Sequence, residues 1–295
     1  MKYQIISDGS CDLPPEMAKE RGIHVVPFYV SFDDTHYYKE NVEIHIRDFY
    51  QSMVERKGVY PKSSLPSIQD YCDVFERYAR ENLPMICICI TEKFSGSFGA
   101  ATNARELTLE KYPNARITVI NSQINTVLQG IYVLEACRLR DQGFSYEESI
   151  ERLLAIRSSG RIFFTVGDLE YLRHGGRIGK LAGLTGSLLG VKPLITLKEG
   201  EIFPSGIARS RKRSMQKVID LLQQYLSERF PDTADCQLCI GYGYSREEAE
   251  EFRALTLEHL PNLTEQDLPL FQIGATIGVH TGPYPIGFGV LQKAC

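Results

Sequence analysis

Five short segments of this chain gather residue types that bind or transform a charged group. SDGSCDLP, residues 7–14, ends a strand-like run in small polar residues and passes into Pro14, Pro15 and Glu16, a good helix opening. Strand ends of this kind face ligand crevices in α/β sheets, although Ser7, Asp8, Ser10 and Asp12 could equally serve only to cap the helix. KSSLPS, residues 62–67, places Ser67 as an N-cap with Asp70 in the capping-box position, which leaves the hydroxyls of Ser63 and Ser64 free to donate to a ligand. FSGS, residues 94–97, joins an apolar strand to a helix, so Ser95, Gly96 and Ser97 present N–H groups at the positive end of a helix dipole, a setting for a carboxylate or phosphate. GATIGVHTGP, residues 274–283, reads as a Gly- and Thr-rich loop in which glycines bring backbone close to a ligand and His280 supplies a donor. YLRHGGRIGK, residues 171–180, sets basic side chains and His174 around a diglycine, with Arg209, Arg211, Lys212 and Arg213 further on. It could grip phosphate or an acidic partner, or be a helix capped at Gly175 with solvated charges.

The elements that must position these segments follow from apolar periodicity. Strands are expected over 3–7, 24–32, 85–91 and 116–120, and amphipathic helices over 44–57, 67–81, 96–111, 126–142 and 146–158. Strands alternating with helices imply a largely parallel sheet. After about residue 159 the pattern changes to a strand over 161–166, a hairpin of 192–198 and 201–204 across Glu199-Gly200, and a helix over 210–230. A strand at 237–242, a helix at 246–260 and strands near 268–273 and 287–291 complete it. The expected fold is therefore α/β: an N-terminal layered, Rossmann-like domain (1–158) and a C-terminal α+β domain (159–295), closely packed.

A chain of 295 residues fits two domains, and its 43% hydrophobic and 24% charged composition contains no stretch apolar enough to span a bilayer. The net charge of -4 gives no general attraction to nucleic acid. FSGS lacks GxxxxGK[ST], and no GxGxxG is present there, which disfavours nucleotide binding. Met1-Lys2-Tyr3-Gln4 runs into a strand without the features of a signal peptide, so a cytoplasmic location is expected, and the eight cysteines are read as reduced thiols. Cys236 and Cys239 form a CxxC, but within a strand and without a second pair, which argues against a redox motif or a zinc site.

Together, the five segments occur in an order and spacing that resembles the DegV family of bacterial fatty-acid-binding proteins, over nearly the whole chain. The resemblance implies two domains, an acyl chain in an apolar tunnel and a carboxylate held where the domains meet. It implies a ligand but no cofactor or metal, and no catalysis by the chain itself: a separate ATP-dependent fatty acid kinase subunit would phosphorylate the bound carboxylate, and the acyl phosphate would enter phospholipid synthesis. Carried across, the hydroxyl motif matches Ser63, Ser64, Pro66 and Ser67, with Ser63 where threonine is usual, and the turn matches Ser95-Gly96-Ser97, again with serine for threonine. The closing motif matches His280, Thr281 and Gly282, and the basic motif matches Arg173 and Arg177, facing headgroup and kinase, with Arg209 on the same docking surface. The carboxylate-binding set is thus Ser63, Ser64, Ser95, Gly96, Ser97, His280 and Thr281. Two departures stand out: Tyr284-Pro285 replaces a glycine and a small residue, and Glu92-Lys93 replaces a neutral approach to the turn. The first could narrow the mouth or alter docking.

Two other readings compete. A serine hydrolase would use Ser95 or Ser64 as nucleophile and His280 as base, with Asp8 to orient the histidine, but no GxSxG elbow is present. A phosphate-binding module would use the same helix N-terminus with Arg173. A monomer is the expectation in each case.

Overall fold

The computed structural model describes residues 3–56, 58–184 and 190–294. Met1, Lys2, the expected helix end at Lys57 and Cys295 lie outside them. In chain order the first half contains β1 (Gln4–Asp8), α1 (Pro15–Glu20), β2 (Ile23–Val26), β3 (Tyr29–Ser31), β4 (Tyr38–Lys39), α2 (Ile46–Glu55), β5 (Lys62–Ser64), α3 (Ile68–Arg80), β6 (Met85–Cys89), α4 (Ser97–Lys111), β7 (Ile117–Asn121), α5 (Thr126–Asp141) and α6 (Tyr146–Ile156). The second half contains β8 (Arg161–Thr165), α7 (Glu170–His174), β9 (Lys192–Lys198), β10 (Glu201–Ala208), α8 (Arg211–Arg229), β11 (Cys236–Tyr242), α9 (Arg246–His259), β12 (Leu270–Gln272), α10 (Ala275–Thr281) and β13 (Ile286–Gln292).

The fold is a mixed α/β architecture. A parallel sheet runs β2–β1–β6–β7, and its central strand β6 is buried at every position, which is why MICIC reads as a continuous apolar run. A six-stranded sheet runs β10–β9–β8–β13–β11–β12, antiparallel except where β11 meets β12. Helix α5 touches strands of both sheets, and most of its surface is buried, so it is apolar nearly all round rather than along one stripe. One continuous apolar core consequently joins Ile5 and Ile86 of the parallel sheet to Ile162, Ile195 and Cys239 of the larger one.

Local signals account for several boundaries. Ser67 and Asp70 form a reciprocal capping box that starts α3, as their spacing predicts. Glu199 and Gly200 both adopt positive φ, as a two-residue hairpin between β9 and β10 requires. The single strand expected over 24–32 is instead two, because Pro27 lies between β2 and β3 and cannot donate to a ladder; the second joins a small antiparallel sheet, β4–β3–β5.

The larger correction concerns 274–283, which is not a loop but the helix α10. Its glycines serve close packing. A Cβ at Gly278 would lie 2.9 Å from Tyr50 Oη, one at Gly274 would lie 2.3 Å from Asp12 Oδ1, and Gly282 ends the helix at φ +75°. The seven described cysteines are buried free thiols; Cys236 and Cys239 lie on β11, where burial pushes both thiols up, to about 11 and about 12.

Candidate ligand-binding site

Against the larger sheet, beyond the ends of the parallel strands β2 and β6 where Phe28 and Ile90 lie, is a mainly apolar cavity of about 190 Å³. Its lining crosses the larger sheet from Ile202 on β10, through Leu197 and Ile162, to Gly241 on β11, and α5 and α10 supply Val127 and Ile277. At one end the lining turns polar: Ser63, Ser64, Ser95, Arg177, His280 and Thr281 all reach it. Six of the residues singled out by sequence are therefore brought together from four separate segments.

His280 organises this end. It sits on the last turn of α10, with Nε2 3.2 Å from Ser63 Oγ on β5. Its Nδ1 is buried without a hydrogen-bond partner, against Gly175, where a Cβ would lie 2.1 Å away. Burial, and then the Arg177 charge, lower its pKa to about 3, so the ring is neutral at ordinary pH. A neutral ring carries one N–H, and leaving an acceptor unpaired costs less than leaving a donor unpaired; this assigns the proton to Nε2. Nε2–H then donates to Ser63 Oγ, and the Ser63 hydroxyl proton is turned outward.

Ser95 supplies a second hydroxyl. Its Oγ accepts the Ser97 N–H at 3.2 Å, which occupies a lone pair and leaves the O–H free to donate. Its own N–H is used by Thr91 O, so among the turn amides it is Gly96 N–H that has no acceptor among the described residues. Arg177 donates to Phe94 O at 3.1 Å and to Gly175 O at 2.8 Å, which ties the basic segment to the turn. Ser64 is exposed at the rim, and the Thr281 hydroxyl donates to Ile277 O, so Thr281 offers the cavity its surface rather than a free donor.

Ser97 is placed elsewhere. Its buried hydroxyl donates to Asp8 Oδ2 at 2.7 Å and lies 2.6 Å from Tyr71 Oη. Asp8 also accepts from Ile90 N–H and Gln129 Nε2, and Ser10 bridges it to Gln129. Desolvation raises its pKa against these hydrogen bonds. Asp8 therefore binds the strand ends of the parallel sheet to α4 and α5 and does not meet His280, which removes the acid of the hydrolase reading. Nor do these polar residues cap α1, whose N-cap is Pro14 without a side-chain bond.

A wider groove of about 430 Å³ adjoins the polar end and shares Phe94, Ser95, Arg177 and Ile202 with the cavity. Gly96, Lys93 and the Lys180–Glu201 ion pair line it. Arg173 is exposed and paired with Glu170, and His174 stacks on Tyr60 at 3.6 Å. Arg209 is exposed beyond the end of β10 and lines neither cavity nor groove.

Sequence reasoning missed a buried acid pair behind the inner wall. Asp12 accepts from Thr126 Oγ1 at 2.6 Å, and Glu40 accepts from Thr276 Oγ1 at 2.7 Å and from the Ala275 and Thr276 N–H groups. Both carboxyls converge on Gly274, the N-cap of the helix that carries His280. Desolvation first, and for Asp12 the neighbouring Glu40, raise both above the usual carboxylate range. Nothing in the local sequence of Glu40 marks it; its partners are 235 and 236 residues away.

The sequence and the fold are shared with known proteins. A family model described as "Uncharacterised protein, DegV family" matches residues 2–293. A DegV domain-containing protein of Clostridium perfringens is 33% identical over 294 residues, 99% of each chain. Among solved structures, a stearic acid-binding protein from Eubacterium ventriosum is 41% identical with a TM-score of 0.94, covering 99% of each chain. A fatty-acid-binding DegV family protein from Thermus thermophilus is 29% identical with a TM-score of 0.86, covering 99% of this chain and all of that one. From its first strand to its last, the chain belongs to the DegV family.

Proposed function

We propose that this protein binds a long-chain fatty acid, with the acyl chain in the cavity between an N-terminal domain (1–158) and a C-terminal domain (159–295). The observation that carries the reading is an apolar cavity ending in the hydroxyls of Ser63 and Ser95 and an uncharged histidine beside one arginine. A sixteen-carbon chain leaving water gains on the order of 12 kcal/mol at ~0.8 kcal/mol per methylene, before the cost of association. The carboxylate, if left unpaired, would cost several kcal/mol, and each charge-assisted hydrogen bond returns roughly 1.5–3 kcal/mol. Ser63, Ser95 and the Gly96 N–H are the direct donors in this reading, and His280 acts through Ser63. Arg177 supplies the countercharge.

In the same reading the chain is a carrier, not the catalyst. A separate ATP-dependent kinase subunit would reach the carboxylate through the groove over Ser95 and Arg177 and dock against the exposed Arg173 and Arg209. The similarity to stearic acid- and fatty-acid-binding DegV proteins supports the ligand class. Native mass spectrometry of the purified protein, followed by organic extraction, tests it: a stoichiometric long-chain fatty acid is expected, and a protein that is empty and also ignores added palmitate refutes the reading.

A further inference from the structure

The wall opposite the polar end carries an unusual bareness. Along one row of the larger sheet, Ile202, Leu197 and Ile162 pair across β10, β9 and β8, each presenting a side chain to the cavity. In the adjacent row Phe164 pairs with Gly287, and Gly287 with Gly241, so β13 and β11 present no side chain there. Neither glycine has positive φ, so backbone conformation does not require them. Gly287 has another cause: a Cβ there would lie 2.2 Å from Phe163 O of the neighbouring strand. Gly241 does not. The atoms nearest its Cβ would be side-chain ones, Val127 Cγ2 at 3.0 Å, which would have to give way, and Ile273 Cδ1 at 3.4 Å, and both residues line the cavity. A glycine inside a strand with no turn or backbone contact to demand it fits a place that other groups approach closely, here Val127, Ile273 and the cavity itself.

The position of this surface fits the ligand. Ile202, shared by cavity and outer groove, stands near the mouth, and four strand spacings of about 4.8 Å separate it from Gly241, roughly 19 Å. An extended chain of about 16 carbons, at about 1.3 Å per bond, has this reach. Along α10 the direction is the same: His280 marks the polar end, and Ile273, just before the helix, touches the Gly241 site.

We propose that Gly241 sets the upper limit of acyl-chain length, by leaving bare strand on which the methyl end of a palmitate- or stearate-sized chain lies. This rests on the fatty-acid reading and adds its length selectivity. Any side chain at this position projects between Val127 and Ile273 and shortens the cavity from its closed end, while the carboxylate site, a full sheet-width away, is untouched.

The test is competition of laurate, myristate, palmitate and stearate for delipidated wild type, Gly241→Ala and Gly241→Val, read by native mass spectrometry. The wild type is expected to favour palmitate and stearate. Gly241→Val is expected to lower the stearate-to-myristate occupancy ratio by at least about tenfold, with Gly241→Ala between. An unchanged length profile in both variants overturns the proposal, as does a uniform loss across all four acids, because a length limit must discriminate. Should the variants not fold, stearate bearing a terminal diazirine is photolysed in the wild type. Labelling of the segments around Val127, Gly241 or Ile273 supports the proposal, and labelling elsewhere overturns it. A wild type that takes none of the acids refutes the fatty-acid reading instead.

Discussion

The polar end is shaped in part by a residue that has no side chain to offer it. That residue is Gly175: its missing Cβ is the space in which His280 Nδ1 sits, so the diglycine of the basic segment serves the histidine as well as ending α7. Gly175→Ala should displace the ring and weaken palmitate binding as much as His280→Ala does, measurable by titration calorimetry; wild-type affinity in the alanine variant would show that the ring has room to move. Ser63→Ala and Ser95→Ala each remove one donor to the carboxylate and are expected to weaken binding by about 1–3 kcal/mol without unfolding the protein. Equal affinity of the Ser63→Ala protein and wild type would place the carboxylate elsewhere. The arrangement also explains why three serines of similar appearance differ in use: Ser63 and Ser95 face the cavity, whereas Ser97, two residues beyond Ser95 at the start of α4, turns into the Asp8 network.

At the level of elements, α10 is the piece that joins the halves. It packs on α2 and the small sheet while its chain neighbours β12 and β13 lie in the larger sheet. Its N-terminus is held by Glu40, next to Asp12, with Asp8 and the buried Tyr50 hydroxyl as the titratable neighbours. Burial lifts the Glu40 carboxyl to about 7, so folding favours its protonated form. That contribution is complete below the ordinary value of 4.5, is lost as pH rises from there towards about 7, and is constant above, where folded and unfolded states are both ionised. Glu40→Gln should flatten this part of the stability profile: urea midpoints between pH 4.5 and 8 should fall less steeply than in wild type, and parallel profiles would show that Glu40 does not titrate in this range.

For the whole molecule, the decisive feature is that one cavity is walled by both halves, so a ligand there stabilises the joint between them. Stearate at about 100 times its Kd should stabilise the fold by roughly 2.7 kcal/mol, seen as a melting temperature several degrees higher. Inorganic phosphate at the same excess should leave the melting temperature unchanged. The opposite pattern, phosphate stabilising and stearate not, would favour a phosphate-binding module. No helix among the described residues is long and apolar enough to cross a membrane.

Much of this was legible without coordinates. Apolar runs of period two and amphipathic runs of period 3.6 are local properties, and they predicted the longer strands and helices and the α/β class but not β4, β5 or α10; the Ser67–Asp70 box and the Glu199-Gly200 hairpin were readable because capping and turn chemistry act within a few residues. The grouping of Ser63, Ser95 and His280 came from the family resemblance, since no spacing in the sequence brings residues 217 positions apart to 3.2 Å. Tertiary structure alone decided the rest. Glycine-rich 274–283 is a helix because its glycines accommodate Tyr50, Asp12 and Phe49. Ser97 faces inward because Asp8 needs donors in a dry interior, and His280 is neutral because its ring is desolvated beside Arg177. Burial and electrostatic environment are set by which distant segments meet, and that is fixed only when the sheets close on one another.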